Sequence, residues 1–387
     1  IEFPSCELSA LARSGRGGER GIRFRILHGV SWLGDEFLLQ ARLALNFPNL
    51  SPKDKSSSWN GEELLASVDW ERSFIKEELK ELRNLGSLNK LGDEPIDSDL
   101  LKKKLHSIQN TLENGSGAVI LRGFPLNSFE SEFDADKISE LFLWLVSQVG
   151  TPVSQSAAGD FILSVRNEAF GKDDSRTRGP NTNRKLSFHT DRCDVIAFLC
   201  LRQAKKGGEN ELVSNPALYE VIRNERPDLL KVLMTPFPYK RHVVDTGNAL
   251  PYCEQPIFSF CDGHFAGSFL RVLIDRADAD PDCPSLTDDQ REALDFLEET
   301  AEREDLRVRF RQEPGDILFL NNWVTFHRRT AFEDWPEPAR RRHLFRAWLS
   351  VPNSRPLDES FKANYGSVRA GATRGGMHPE SKQGSES

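Results

Sequence analysis

An α+β fold with a mainly β core is what this sequence predicts. Two textures point to it. Ahead of residue 150, apolar residues recur at helical spacing in three segments. From Phe161 onward, short β-prone runs alternate with Gly- and Pro-containing turns. Many short strands punctuated in this way suggest a sandwich or a barrel.

Residues 1–45 mix Gly and Arg with a short apolar stretch and are left unassigned. Residues 51–60 form a polar Pro/Ser/Lys loop. Over 62–85, Leu64, Leu65, Val68, Phe74, Ile75, Leu79 and Leu82 predict one helix. Asp97, Ser98 or Asp99 caps a second helix running to Asn114, where Gly115 and Gly117 stop it. Residues 118–121 are a short apolar strand closed by Gly123-Phe124-Pro125. A third helix spans 138–149 and presents Leu141, Phe142, Leu145 and Val146 for packing. Strands follow over 161–165, 195–201, 211–214, 258–260, 308–310, 317–320 and 343–351. Helical insertions over 218–233 and 287–304 interrupt them. The last ten residues are expected to be disordered.

A chain of 387 residues allows one large domain or two. Its 38% hydrophobic content, with 25 Phe, excludes global disorder. The net charge of -8 makes nucleic acid a poor partner, because duplex binders carry a basic surplus. No apolar run reaches the roughly eighteen residues of a membrane span. The apolar stretch 22–45 is broken by Arg23, Arg25, Asp35, Glu36 and Arg42, so no secretory signal is read. The six cysteines (Cys6, Cys193, Cys200, Cys253, Cys261 and Cys283) form no C-x-x-C pair. They are expected to be free thiols in a reducing cytoplasm.

Three segments carry chemistry. In Leu186-Ser187-Phe188-His189-Thr190-Asp191, extended backbone would project His189 and Asp191 to one side and Thr190 to the other. An imidazole beside a carboxylate supplies two of the three ligands of a facial triad. Alone, H-x-D is common by chance. Pro314-Gly315-Asp316 then makes a turn, 317–320 a buried strand, and His327 follows soon after, with an ordinary surface or core histidine in a loop as the alternative. Finally, Arg340 to Leu349 read as a strand places Arg342, Leu344, Arg346 and Trp348 on one face, with His343, Phe345, Ala347 and Leu349 on the other. Two arginines inside an apolar strand are costly unless they meet anions. At roughly 13 Å apart along the strand they do not share one carboxylate. A solvated basic edge is the alternative.

The order H-x-D, long gap, P-G-D turn, His, then R-x-x-x-R resembles the taurine dioxygenase-like family of iron(II), 2-oxoglutarate-dependent oxygenases. Weaker echoes are Ser58 to Glu62 and Gly117 to Phe124. The resemblance implies a double-stranded β-helix, or jelly roll, with flanking and inserted helices. It divides the chain into 1–45, a helical region 46–116, an oxygenase domain 117–352 and an extension 353–387. It implies Fe(2+) on His189, Asp191 and His327, with 2-oxoglutarate and O2 as cosubstrates. Arg342 would meet the distal carboxylate of 2-oxoglutarate, and Arg346 would sit nearer the reacting end or the substrate. Gly207-Gly208-Glu209-Asn210 matches a cosubstrate-contacting segment, with Asn210 where Thr or Ser is usual. The expected reaction is hydroxylation or a related C–H oxidation of a small metabolite, anionic if Arg346 serves it rather than 2-oxoglutarate, with no nucleic acid and no membrane; assembly into a homo-oligomer stays open. The rival readings are a zinc or other metal-dependent enzyme on the same barrel, a non-catalytic relic binding protein, and a scaffold built on 62–114.

Overall fold

A computed structural model describes residues 47–86, 98–126, 134–156, 158–168, 179–241 and 250–377. The expectations for 1–45 and for the last ten residues lie outside these. The strands, in chain order, are β1 (Glu71–Ser73), β2 (Ala118–Arg122), β3 (Thr151–Val153), β4 (Ile162–Val165), β5 (Val195–Arg202), β6 (Lys206–Gly207), β7 (Asn210–Ser214) and β8 (Phe237–Lys240). They continue as β9 (Tyr252–Gln255), β10 (Phe258–Cys261), β11 (His264–Gly267), β12 (Val308–Phe310), β13 (Ile317–Asn321), β14 (Thr325–Arg329), β15 (Phe332–Glu333) and β16 (His343–Ser350).

The main sheet runs β1-β2-β13-β5-β16, with β3 and β4 both pairing to the outer edge of β16. β1 and β2 are parallel, and the other pairs are antiparallel. A second sheet runs β12-β7-β14. β5 is apolar at nearly every position because both of its faces are covered. Val195, Ala197, Leu199 and Leu201 pack with the helices Asp99–Asn114 and Ala135–Ser147. Ile196, from the other face, packs with Leu212 and Val308 of the second sheet. Helices therefore cover one side of the main sheet, and the second sheet faces the other. The helix Asp99–Asn114 follows local rules: Ser98 accepts from the Leu101 N–H, and Leu101, Leu105, Ile108 and Leu112 share the buried stripe.

The single helix expected over 62–85 is two helices, Gly61–Ala66 and Lys76–Gly86, separated by β1. An Asn60/Glu63 capping box starts the first. Between them the backbone pairs with β2, the Ile120 N–H donating to the Trp70 carbonyl at 2.8 Å. Satisfying that buried ladder outweighs a helical apolar period. The insertion expected over 218–233 is also two helices, Asn215–Glu225 and Pro227–Leu233. Pro227 lacks an N–H and pushes Arg226 out of the helical region, to φ -139°. The helix Arg271–Asp278 and the strands β8, β9, β11 and β14 were not anticipated. Among the described residues no helix is long and apolar enough to cross a membrane. Cys193, Cys200, Cys253, Cys261 and Cys283 are free.

The segment 353–377 is built into the fold by buried charge. Arg374 donates to Asp194 at 2.7 Å, and Asp194 also accepts from Trp323 Nε1 at 2.8 Å. Arg355 bridges Asp54 at 3.0 Å and Glu113 at 3.1 Å. Arg374, Asp194, Arg355, Asp54 and Glu113 are all almost fully buried, and each faces an opposite charge, as buried ions require.

Candidate active site

The site begins with a backbone exchange. The His189 N–H donates to the His327 carbonyl and the His327 N–H to the His189 carbonyl, each at 3.0 Å. A hydrogen-bonded antiparallel pair sends both side chains to one side, and the two rings lie 4.5 Å apart between centroids. His189 is thus an isolated bridge residue between His327 and Leu270, not part of a regular strand as expected. His327, for which a loop position was the alternative, lies on β14 opposite Leu212 of β7. Thr190 turns away and is held by the Phe269 backbone, its N–H donating at 2.7 Å. Asp191 returns to the His189 side, with its N–H fixed by Asn322 Oδ1 at 3.1 Å.

One atom from each of His189, Asp191 and His327 can be chosen so that all lie within 4.8 Å of one another. His189 Nδ1 is 2.9 Å from the Ser187 carbonyl, so Nδ1 carries the proton and Nε2 is left as a donor to a metal. His327 Nε2 is 3.6 Å from Asp191 Oδ2. Burial, with His327 nearby, pushes the His189 imidazole down to about 4. Burial pushes the Asp191 carboxyl up, but Arg346, His327 and His189 together hold it well below the usual carboxylate range. A neutral imidazole and an ionised carboxylate are the forms that bind metal. Two imidazoles and one carboxylate with open positions match non-haem iron(II).

These groups line a cavity of about 500 Å³. Arg342, Leu344, Arg346 and Trp348 of the β16 segment line it, while Phe345, Ala347 and Leu349 pack into the helical core. Arg346 Nη1 is 3.5 Å from both Asp191 oxygens, and its Nε donates to Gln155 Oε1 at 2.7 Å. Arg342 is 2% exposed, and its Nε and Nη1 have no hydrogen-bond partner. Burial pushes its guanidinium down to about 10. A buried guanidinium with orphaned N–H groups fits a carboxylate ligand such as that of 2-oxoglutarate. Gly208 lies against it at φ 78°; a Cβ there would stand 3.1 Å from Arg342 Nε. Asn210 also lines the cavity, and one of its amide N–H groups goes to Gln312 Oε1 at 3.0 Å.

No local pattern marks Gln155 or Arg329 as cavity residues. Arg329 also lines the cavity, 4.6 Å from the Phe332 ring that Arg342 approaches at 5.2 Å. Asn322 stood beside His327 in Asn321-Asn322-Trp323, but nothing marked it as the group that holds the Asp191 backbone.

Residues 82–348 match the family described as taurine catabolism dioxygenase TauD, TfdA family, which is more than half of the chain. The chain belongs to this family. As a TauD/TfdA-family protein it is a non-haem iron(II), 2-oxoglutarate-dependent oxygenase. FR-33289 synthase of Streptomyces rubellomurinus is 32% identical to it over 271 residues, 67% of this chain and 77% of that protein. Taurine hydroxylase-like protein SAT17 of Stachybotrys chartarum is 25% identical over 281 residues, 68% and 70% of the two chains. Among solved structures, asparagine oxygenase with Fe(II), 3-hydroxyasparagine and succinate superposes with a TM-score of 0.55 at 16% identity, covering 73% of this chain and 93% of that one. The non-heme iron oxygenase OrfP with Fe, succinate and a dihydroxyarginine gives 0.53 at 13% identity, over 72% and 94%. At these identities the two solved structures establish a shared fold.

Proposed function

We propose that this TauD/TfdA-family oxygenase hydroxylates a small, anionic metabolite, with iron(II) on His189, Asp191 and His327 and with the distal carboxylate of 2-oxoglutarate on Arg342. The observation that carries the reading is the pairing, in one cavity, of a converging His/Asp/His set with a buried, unpartnered arginine. The two facing sheets support the double-stranded β-helix that the sequence resemblance implies. In this reading 117–352 is the oxygenase domain, with 46–116 packed on it through the helix Asp99–Asn114.

Bound iron(II) supplies the coupling of O2 reduction and 2-oxoglutarate decarboxylation to oxidation of a substrate C–H bond. The chain supplies geometry and charge. His189 is oriented by the Ser187 carbonyl, and Asp191 by its backbone contact to Asn322. Arg346 neutralises Asp191 from the side, aimed by Gln155. Arg342 fixes the far end of the cosubstrate, and Asn210 keeps its second amide N–H for it. Phe198, Leu344 and Trp348 wall the cavity with apolar surface that excludes water.

The balanced reaction takes R–H, 2-oxoglutarate and O2 to R–OH, succinate and CO2. Turnover under ¹⁸O2 tests it: one labelled atom is expected in succinate and one in the product. An unlabelled product formed without succinate would instead indicate hydrolysis at a metal such as zinc.

Gln155→Leu offers a milder test. It leaves Arg346 Nε without its acceptor, which typically costs about 1–3 kcal/mol. The expected result is a drop of about tenfold or more in kcat/KM, read from initial rates of succinate release. Iron stoichiometry should not change, because Gln155 does not reach the ligands.

A further inference from the structure

Besides Arg342, one cation in the cavity wall keeps a buried N–H with no partner. Asp191 is the one carboxylate among the described lining residues, against one lysine and several arginines. Arg329 spends its Nη groups on the Thr330 and Thr182 carbonyls, at 3.1 and 2.8 Å. Lys240 pairs with Asp280, Arg328 with Glu211 and Glu302, and Arg346 with Asp191. Arg342 takes the cosubstrate in the proposed placement of iron and 2-oxoglutarate, on which this inference rests.

Arg241, just beyond β8, is different. Its Nη2 donates to the Ala363 carbonyl at 2.8 Å and its Nε to the Tyr252 carbonyl at 3.4 Å. Its Nη1 is buried and has no partner. Two carbonyls orient the guanidinium but do not neutralise it. The neutral polar groups on the same wall satisfy one another. Asn364 donates to Gln255 Oε1 at 2.9 Å, Gln255 donates to Ser268 Oγ at 2.9 Å, and Tyr239 donates to the Ser268 carbonyl at 3.1 Å. The open charged donor on this wall is therefore Arg241 Nη1. Its neighbours differ from those of Arg342, which lies against Phe332 and Gly208. The cosubstrate brings two carboxylates, one for the iron and one for Arg342, and has none left for Arg241.

We propose that Arg241 anchors an oxyanion of the prime substrate, holding one end of that molecule while a C–H bond lies at the His189/Asp191/His327 centre. An arginine N–H fixed by backbone carbonyls can take a flat carboxylate or a tetrahedral oxyanion. Arg241 is thus a specificity-determining residue, and uncharged analogues of the substrate bind poorly.

The test uses iron(II)-loaded full-length protein under anaerobic conditions, in wild-type, Arg241→Gln, Arg241→Lys and Arg342→Gln forms. Each is titrated calorimetrically with 2-oxoglutarate. Each is then titrated, in the presence of saturating 2-oxoglutarate, with sodium sulfate and separately with sodium acetate, to distinguish tetrahedral from flat anions. Arg241→Gln should bind 2-oxoglutarate like wild type and bind the preferred anion about tenfold or more weakly. Arg241→Lys, which keeps the charge, should fall between and serves as the folded comparison. Arg342→Gln should lose 2-oxoglutarate affinity and keep the anion site. Equal anion affinity in wild type and Arg241→Gln, or anion binding by neither, overturns the proposal. Failure of wild type to bind 2-oxoglutarate would instead overturn the proposed function, while the anion titrations still report on Arg241.

Discussion

Asp191→Ala is expected to abolish turnover and to weaken iron(II) binding by more than about a hundredfold, since even outer-shell partners of a metal ligand are worth 10–100-fold. Two neutral imidazoles would remain, facing a guanidinium that had lost its counter-ion. Arg346 Nη1 is 3.5 Å from both Asp191 oxygens, so it would then repel the metal. The fold should survive. Asp191 is anchored through its backbone N–H to Asn322, and that bond does not need the carboxylate. Metal analysis after anaerobic reconstitution, together with a thermal melt, checks both halves. A variant that still binds one iron and turns over at the wild-type rate would remove Asp191 from the site.

Arg342→Ala is expected to raise the 2-oxoglutarate concentration needed for half-saturation roughly 30- to several-thousand-fold. The range follows from the loss of about 2–5 kcal/mol when one partner of a buried charge pair is truncated. Arg329 stays at the same end of the cavity, 4.6 Å from the shared Phe332 ring. It keeps a positive charge there, so the loss reports chiefly the missing directed hydrogen bonds. Arg342→Lys should recover only part of the affinity, because an ammonium cannot replace a planar fork. His343→Gln is the control. His343 points away from the cavity, with Nε2 3.0 Å from Ser164 Oγ and Nδ1 3.3 Å from Arg202. Cosubstrate affinity should be nearly unchanged there. A large loss in His343→Gln with none in Arg342→Ala would contradict this placement of the cosubstrate.

What could be read from the chain depended on whether the signal was local. The β16 segment was legible because strand alternation is local: Arg342, Leu344, Arg346 and Trp348 do share the cavity face. The helix Asp99–Asn114 was legible because its Ser98 cap and its Gly115 stop sit at its own ends. The three converging ligands were recognisable by type and order, yet the element holding His327 was not. β14 reads Thr-Phe-His-Arg-Arg, which no apolar rule selects as a buried strand. It is buried because Glu211 and Glu302, distant in sequence, neutralise Arg328. β1 was lost inside an apparent helix for the same kind of reason, a pairing with β2 that only the tertiary fold supplies. Arg374 lay in a tail that composition marked as peripheral. Its partner Asp194 follows the H-x-D pair by three residues and showed no sign of needing a cation. Arg241 could not be distinguished from a surface arginine until its carbonyl partners were in place.

If His189, Asp191 and His327 hold iron for 2-oxoglutarate chemistry, succinate release is tied to O2 uptake and depends on all three. The most direct measurement is succinate released per O2 consumed by iron(II)-loaded protein, for wild type and for His327→Ala. Equimolar succinate and O2 are expected in wild type and neither above background in His327→Ala, with both proteins folded. Succinate formation that persists in His327→Ala, or O2 uptake by wild type without succinate, would contradict this assignment.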